Sequence, residues 1–367
     1  MTTMNAGTRL ALASDNHAGA HPEVLAALVA ANEGPARSYG ADAHTARLQE
    51  VVRGHFGPDA EAFPVFNGTG ANVVALQSMQ RPWGAVLCSS VAHINTDEGA
   101  APERVAGLKL VAAQVPDGKL TPAAVVELAQ HFGNEHHAQP SVVSITQSTE
   151  LGTVYSPAEI AALCDTAHGL GLRVHMDGAR LANAAASLGV PLRALTTDVG
   201  VDVLCLGGTK NGLLLGEAIV VLEPSASEGL HYIRKFNMQL ASKMRYISAQ
   251  LVALFEGDLW RTSAGRANDR AALLRRFVDD IPGVLVTQPT QANAVFACVP
   301  TGVEDRLREV ADFQTWNPVT GELRWMCSHD TTEDTVRAFA AALRQTISEV
   351  DPAATITREP VTGGRPA

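Results

Sequence analysis

Residues 141–181 read SVVSITQSTELGTVYSPAEIAALCDTAHGLGLRVHMDGARL, and this stretch decides the fold class. Val142 to Ile145 is a short apolar run that predicts a buried strand, and Arg173 to Met176 predicts the next strand. Between them, Pro157 to Leu170 carries apolar residues at helical spacing, and Ser156 is suited to cap its start. Two strands joined by a helix of this length form a βαβ unit, which indicates a mostly parallel sheet.

Beyond this unit, two further apolar runs predict strands of the same sheet, at Val201 to Leu206 and at Ala218 to Leu222. After residue 222 the pattern changes. Leu230 to Leu254 predicts one long helix, and helical spacing continues to about Phe277. Later predicted strands are Val284 to Val286, Asn293 to Cys298 and Glu322 to Cys327, followed by a helix from about Thr332 to Val350.

The length of 367 residues exceeds what a single compact core usually holds. We therefore expect an α/β protein whose large domain, residues 1–250, has a mostly parallel sheet between helices. A smaller α+β domain is expected in residues 251–350. The last segment, residues 351–367, contains three prolines and two adjacent glycines and is expected to be a loose tail.

Charge and composition exclude several classes of function. Lys and Arg number 28 against 38 Asp and Glu, so the net charge is −10, which argues against a general nucleic-acid or anionic-membrane surface. No apolar run approaches the roughly 20 residues that cross a bilayer. The five cysteines are widely spaced without a CxxC motif, and HExxH is absent. This pattern favours a reduced, cytoplasmic protein without a metal site.

The residues whose side chains are suited to binding or catalysis follow predicted strands. In open α/β sheets, ligands bind at the ends of strands. Lys210 comes after an apolar strand and two glycines, and burial there would lower the pKa of its amine and make it nucleophilic toward carbonyls. A solvated loop lysine is the alternative. Asp177 ends another strand and is suited to hold a protonated ring nitrogen, the alternative being a helix N-cap.

Two weaker motifs precede these. The Gly68-Thr69-Gly70 turn lies between a strand and a helix start, where backbone N–H groups favour phosphate, although an ordinary glycine turn has the same pattern. His93, with Glu98 five residues later, can stack on a planar cofactor or act as a base. A lone histidine is more often structural.

The order of these motifs is the layout of fold-type-I enzymes dependent on pyridoxal 5'-phosphate (PLP). Over about residues 10 to 345 the sequence resembles the threonine aldolases of the β-eliminating lyase family. The motifs that carry the resemblance are Ser14-Asp15-Asn16, Tyr39-Gly40-x-Asp42, Gly68-Thr69-Gly70-x-Asn72, His93 with Glu98, Gly152-Thr153-Val154-Tyr155, His175-Met-Asp-Gly-Ala-Arg-Leu181 and Gly208-Thr-Lys-Asn-Gly212.

The resemblance implies a role for each matched residue. Lys210 should form the Schiff base with PLP, Asp177 should pair with the pyridine nitrogen, and His93 should stack on the ring. The phosphate should be held by Gly68, Thr69 and Gly70, with Lys235 as a weaker assignment. The family's contacts to the substrate carboxylate correspond to Ser14, Arg180 and Arg324; Arg180 is also assigned to the cofactor site. An arginine suits a carboxylate because its guanidinium donates two parallel hydrogen bonds.

The resemblance leaves the base open. His93 is one candidate and His136, in the His136-His137 doublet, is the other, with a water held by these histidines as a third possibility. His136 is also assigned to substrate binding. Either histidine of the doublet can match the family's residue, and a polar loop pair is the alternative interpretation.

The implied activity is that of a carbon-carbon lyase. It would cleave L-threonine, L-allo-threonine or phenylserine-type β-hydroxy-α-amino acids to glycine and an aldehyde. The alternatives are a PLP-dependent β-eliminating lyase, an aminotransferase, or a silent scaffold; the complete set of Lys210, Asp177 and His93 argues against the scaffold. The implied partners are an amino-acid substrate and further copies of the chain, in a homotetramer that shares active sites between subunits.

The chain departs from the family at two motifs. Asn16-His17 follows Asp15, where the family often has Asp-Thr, and Thr146-Gln147-Ser148 stands where many members have Glu-Asn-Thr. These departures suggest a subgroup and leave the preferred substrate side chain open.

Overall fold

The computed structural model of the protein describes residues 9–350. The tail expected at 351–367 lies outside the described residues. The strands in chain order are β1 (Leu10–Ala11), β2 (Glu61–Val65), β3 (Gly84–Ser89), β4 (Lys109–Ala113), β5 (Gln139–Thr146), β6 (Arg173–Gly178), β7 (Val203–Leu206), β8 (Glu217–Val221), β9 (Leu285–Val286), β10 (Ala294–Cys298), β11 (Ala311–Asp312), β12 (Gln314–Asn317) and β13 (Glu322–Met326).

The α-helices in chain order are α1 (Pro22–Ala31), α2 (Ala43–Phe56), α3 (Gly68–Ser78), α4 (His93–Thr96), α5 (Ala101–Arg104), α6 (Pro122–Leu128), α7 (Pro157–Gly169), α8 (Leu181–Leu188), α9 (Leu230–Phe236), α10 (Arg245–Phe255), α11 (Leu259–Asp279), α12 (Val303–Leu307) and α13 (Glu333–Glu349). Short 3-10 helices lie at Asp15–His17, Leu192–Leu195, Thr197–Val199, Thr209–Asn211 and Pro224–Ala226.

Seven strands form the central sheet, in the order β2-β8-β7-β6-β5-β3-β4. The five strands from β7 to β4 run parallel, whereas β8 is antiparallel to both of its neighbours. Alternate residues of a strand enter separate apolar clusters; Val203 and Cys205 belong to one and Leu204 and Leu206 to the other. The prediction of an α/β fold with a mostly parallel sheet between helices is confirmed.

The βαβ unit that decides the fold is also confirmed. The predicted strands lie within β5 and β6, and the helix between them is α7. Its start carries a reciprocal cap: the Glu159 N–H donates to the Ser156 hydroxyl at 3.2 Å, and the Ser156 N–H donates to the Glu159 carboxylate at 2.7 Å. This capping box satisfies two backbone donors that would otherwise lack an acceptor within the helix.

The prediction of one long helix from Leu230 to Leu254 was wrong, because this stretch forms two helices, α9 and α10. Met238, in the connection, has a φ of 61°, a left-handed conformation that cannot continue a helix. The connection turns Gln239 toward the sheet, and the side-chain oxygen of Gln239 accepts the Phe66 N–H at 3.0 Å. The apolar periodicity persists through this break and therefore does not reveal it.

The C-terminal part contains a four-stranded antiparallel sheet in the order β12-β13-β10-β9. Its core includes Trp325 and Phe339, and Leu10 and Leu12 from the start of the chain join the same apolar cluster. The N-terminal strand β1 pairs in parallel with β11. The division at residue 250 stays a prediction. None of the helices in residues 9–350 is long and apolar enough to cross a membrane.

Candidate active site

The predicted site residues gather at the carboxyl ends of the parallel strands. Asp177 lies near the end of β6, and Lys210 lies in the short 3-10 helix that follows β7. Two adjoining cavities, of about 230 and 540 Å³, open at this edge. Both are lined by Asn16, His93 and Lys210, so Lys210 stands where one cavity meets the other.

The first cavity has a helix N-terminus on one wall. Gly68 and Thr69, at the start of α3, line this wall. The backbone N–H groups of a first helical turn have no acceptor within the helix, so they are suited to an anion. Gly70 does not line the cavity; its N–H donates to the Asn67 side chain at 2.8 Å.

Lys210 is buried beside both cavities. Burial lowers the pKa of its amine, the positive charge of Arg180 lowers it further, and the carboxylates of Asp15, Asp177 and Glu217 oppose this shift. A lowered pKa increases the neutral fraction of the amine, which is the form that attacks a carbonyl carbon.

Asp177 is a buried carboxylate on the wall of the first cavity. Burial by itself would raise its pKa, but the hydrogen bond from Asn72 and the charges of Lys210 and His93 lower the pKa below its ordinary value. The Asn72 side-chain amide donates to Asp177 Oδ2 at 2.9 Å, and the Ala179 N–H donates to Asp177 Oδ1 at 3.0 Å. Asp177 is therefore ionised and can stabilise a cation in the cavity. It does not cap a helix, since α8 begins only at Leu181.

A hydrogen-bond chain connects Asp177 to His93. The Asn72 amide donates to Glu98 Oε1 at 2.7 Å as well as to Asp177, and the same Glu98 oxygen lies 2.8 Å from His93 Nδ1. The bond to Glu98 raises the pKa of His93, while burial opposes the shift. This contact also orients the imidazole against the first cavity.

The second cavity is lined by both predicted arginines and by Ser14. Arg180 makes a two-point contact with Asp15, at 2.7 Å from Nε to Oδ2 and 3.0 Å from Nη2 to Oδ1. The Arg324 guanidinium donates to the Gln314 side-chain oxygen at 2.6 Å and lies 5.0 Å from the centre of the Trp316 ring. Two fixed guanidinium groups make this cavity suitable for a carboxylate.

Glu150 lines the same cavity and follows β5. Its Oε1 accepts the His93 backbone N–H at 2.8 Å. Burial raises the pKa of Glu150 to about 7, and the nearby charge of Asp177 raises it as well, against the His93 N–H and the Thr146 hydroxyl. The cavity therefore contains a carboxyl group that titrates near neutrality.

Two predicted residues lie outside both cavities. His136 precedes β5 by a few residues, at the end where the Gln139 N–H donates to the Trp83 carbonyl at 2.9 Å. The eight residues of β5 span roughly 25 Å, so His136 and the cavities lie at opposite ends of the strand. The protomer therefore does not place His136 with the other site residues. Lys235, on α9, has its amine 5.2 Å from the centre of the Tyr39 ring.

Several residues that the structure brings to the site have no role predicted from the sequence. Asn72, Asp15 and Glu98 are part of the quoted motifs, but their spacing does not reveal which side chain they bind. Glu150 and Glu217 lie outside the quoted motifs. Glu217 directly precedes the predicted strand that begins at Ala218, and Glu150 follows the predicted strand that ends at Ile145 by five residues. A position close to a strand end is the signal that identifies Asp177 and could also identify these two residues.

Comparisons with known proteins agree with this geometry. A family model described as beta-eliminating lyase matches residues 11–299. The low specificity L-threonine aldolase of Pseudomonas sp. (strain NCIMB 10558) is 45% identical over 341 residues, covering 92% of this chain and 97% of that protein. The Pseudomonas aeruginosa protein of the same name is 44% identical over 337 residues, covering 90% and 96%.

A solved structure of Leishmania major threonine aldolase superimposes with a TM-score of 0.87 at 28% sequence identity, covering 92% of this chain and 99% of that one. The fold is accordingly that of the fold-type-I PLP-dependent enzymes. With a family model matched over most of its length and relatives of more than 40% identity, the chain belongs to the beta-eliminating lyase family.

Proposed function

We propose that the protein is a PLP-dependent carbon-carbon lyase that cleaves L-threonine and related β-hydroxy-α-amino acids to glycine and an aldehyde. The observation that carries the proposal is the position of Lys210 between two cavities of different chemistry. One contains a helix N-terminus and a buried carboxylate, and the other contains two guanidinium groups. The names of the relatives, low specificity L-threonine aldolase, support the same reaction.

The first cavity fits PLP by the chemistry of its walls. The N-terminus of α3, at Gly68 and Thr69, is suited to the phosphate, and ionised Asp177 is suited to a protonated pyridine nitrogen. Lys210 offers the amine that a cofactor aldehyde requires, and His93 lies at the boundary with the second cavity. When bound, PLP would supply an electron sink for the pair released at the substrate α-carbon.

The second cavity fits the carboxylate of an amino acid. We assign this contact to Arg180 and Arg324, with the Ser14 hydroxyl as a further donor. Fixing the carboxylate orients the bonds of the α-carbon relative to Lys210, so that the same bond is presented in every turnover.

The function is tested with the purified wild-type protein and two lysine variants. We expect visible absorption from bound PLP, covalent trapping on Lys210 by borohydride, and formation of glycine and acetaldehyde from threonine. Lys210→Ala should abolish trapping and glycine formation. Lys243→Ala, at an exposed lysine, is the matched control and should retain both.

The products separate the alternative reactions. Pyruvate or another 2-oxo acid in place of glycine would identify β-elimination or transamination. A colourless protein that borohydride does not label would reject PLP altogether. Parallel assays with threonine, allo-threonine and phenylserine establish the preferred side chain.

We further propose a cytoplasmic homotetramer that shares active sites between subunits. The cysteines, all free and buried, support a reducing location. Since a protomer places His136 away from its own cavities, His136 can serve a site only from a neighbouring subunit. Sedimentation gives the subunit number. Mixing Lys210→Ala with His136→Ala protein should restore activity above either parent if His136 acts across an interface, and should restore none if it does not.

A further inference from the structure

Two acidic residues line the second cavity, Asp97 and Glu150. Asp97 accepts the Thr96 hydroxyl at 2.9 Å, and Glu150 is the one whose role is unexplained. It lies after β5 and lines the cavity together with His93, Arg180 and Lys210. Asp15, by contrast, is engaged by Arg180 at two points, and Glu98 is hydrogen-bonded to both Asn72 and His93.

One oxygen of Glu150 accepts a hydrogen bond and the other has no partner. Oε1 accepts the His93 backbone N–H at 2.8 Å, which fixes the carboxyl group against α4. Oε2 is buried and has no hydrogen-bond partner among residues 9–350. A buried polar atom without a partner costs free energy, so such an atom on a residue that lines a cavity indicates a contact that a ligand completes.

We propose that Glu150 is the catalytic base that takes the β-hydroxyl proton of the amino acid bound between Arg180 and Lys210. This inference rests on the proposed function and assigns one of its steps. The amino acid's carboxylate would face the arginines and its α-amino group would face Lys210. Its side chain would then lie along the part of the cavity wall that Glu150 and His93 form.

The step balances as a retro-aldol proton transfer. The O–H bond breaks, its proton goes to Glu150, and its electron pair becomes the second bond of the aldehyde carbonyl. The Cα–Cβ bond breaks at the same time, and its electron pair stays on the α-carbon side. The α-carbon later gains one proton to give glycine, and Glu150 releases its proton to solvent.

His93 is less suited to this step than Glu150. The hydrogen bond to Glu98 raises the pKa of His93, which favours the imidazolium, and an imidazolium has no lone pair to accept a proton. The pKa of Glu150, raised to about 7, makes its carboxylate a stronger base than an ordinary glutamate while a large ionised fraction remains at neutral pH.

The charges around Glu150 affect its titration. Asp177 on β6 and Arg180 in the connection to α8 interact with its charge. The other titratable or charged side chains of the cavity wall are Lys210, His93, Asp97 and Arg324. The groups Cys88 and Tyr155 also lie within reach of its charge, and burial holds both of them neutral. Bound amino acid adds a carboxylate and an amine to this set, so the pH dependence is measured with substrate present.

The test compares Glu150→Gln and Glu150→Asp with Glu127→Gln, an exposed glutamate on α6, in the PLP-loaded enzyme. Glutamine retains an oxygen for the His93 N–H but cannot accept the proton. We expect kcat for threonine cleavage to fall on the order of 10²- to 10⁴-fold in Glu150→Gln, with partial recovery in Glu150→Asp. Activity of a base is lost as pH falls, so the acidic limb of the wild-type kcat profile should be absent from the residual activity of Glu150→Gln.

A second readout separates a base from a structural residue. Glycine has no hydroxyl group, so exchange of its α-hydrogen with deuterated solvent does not need this base and should stay within a few-fold of wild type in Glu150→Gln. PLP absorption should also be unchanged. Cleavage by Glu150→Gln at near wild-type rate, or equal loss of cleavage and exchange, would overturn the assignment of Glu150 alone. A wild-type protein that forms no glycine from threonine would instead reject the function itself.

Discussion

Arg180 and Asp15 form a buried two-point ion pair at the edge of the second cavity. Their side chains are 13% and 1% exposed, and Asn293 donates a further hydrogen bond to Asp15 Oδ2 at 3.0 Å. The pair joins the start of the chain to the connection after β6. It also fixes the guanidinium before any substrate arrives, because rotation of Arg180 would break both contacts.

The first prediction concerns the stability of this pair. Asp15→Ala leaves the Arg180 charge buried without its partner, and breaking such a pair from one side costs about 3–5 kcal/mol. Asp15→Asn keeps a hydrogen-bond acceptor for Arg180 and should cost less. Urea unfolding of the cofactor-free protein measures both. Equal midpoints and slopes for Asp15→Ala and the wild type would contradict a stabilising role.

The second prediction uses the contact between His93 and Glu98. The folded-state pKa of His93 is raised above its ordinary value of 6.5, chiefly by the hydrogen bond to Glu98. The stability that this shift contributes is therefore fully present below the ordinary value and is lost as pH rises through the folded pKa. Glu98→Gln should lower the free energy of unfolding more at about pH 6 than at about pH 9.

Urea titrations at the two pH values test this difference. Glu127→Gln, which changes an exposed carboxylate on α6, is the control for loss of one negative charge. If Glu98→Gln lost the same free energy of unfolding at both pH values, protonated His93 would not contribute to that loss.

The third prediction concerns the charge of Asp177. Asparagine at this position can still accept the Ala179 N–H, but it cannot pair with a protonated pyridine nitrogen. Because a hydrogen bond to a charged group contributes about 1.5–3 kcal/mol, Asp177→Asn should bind PLP roughly 10- to 100-fold more weakly and form glycine more slowly. Fluorescence titration with PLP gives the affinity. Asp165→Asn, at an exposed position on α7, should match the wild type in both assays.

The sequence predicts what depends on neighbours along the chain. The strand ends at Asp177 and before Lys210 follow from apolar runs, and the cap at Ser156 follows from its spacing to Glu159. The βαβ pattern then places these strand ends on one edge of the sheet, so it predicts that Asp177 and Lys210 meet. The place of His93 beside them follows from the resemblance to the family.

Contacts between distant segments are what the sequence does not reveal. Asn72 donates to Asp177 across 105 positions of the chain, and nothing local to Asn72 specifies that partner. The break at Met238 is similar in kind, because α9 ends at Phe236 and the left-handed turn at Met238 precedes Gln239, which contacts the distant Phe66. His136 differs from both, because it lies at the other end of β5 from the cavities of its own protomer and its assignment stays a prediction.

The last prediction contrasts two glycines whose surroundings differ. A Cβ at Gly207, which lines the first cavity, would lie 2.5 Å from the Ala179 carbonyl oxygen and 2.6 Å from its Cα. These are backbone atoms of the segment from Asp177 to Arg180. The overlap can therefore be relieved only if this segment moves. A Cβ at Gly265, within α11, meets no atom within 4 Å.

Gly207→Ala should therefore destabilise the protein by about 1–3 kcal/mol, the usual cost of an overpacked position, and should also reduce PLP affinity because Asp177 shifts with the connection. Gly265→Ala should stabilise it by about 0.5–1 kcal/mol, since alanine restricts the unfolded chain and favours the helix. Urea unfolding of the cofactor-free variants measures the changes in stability, and titration with PLP measures the change in affinity. If Gly207→Ala unfolded like the wild type and bound PLP equally well, the close approach of residues 179 and 207 would not constrain the site.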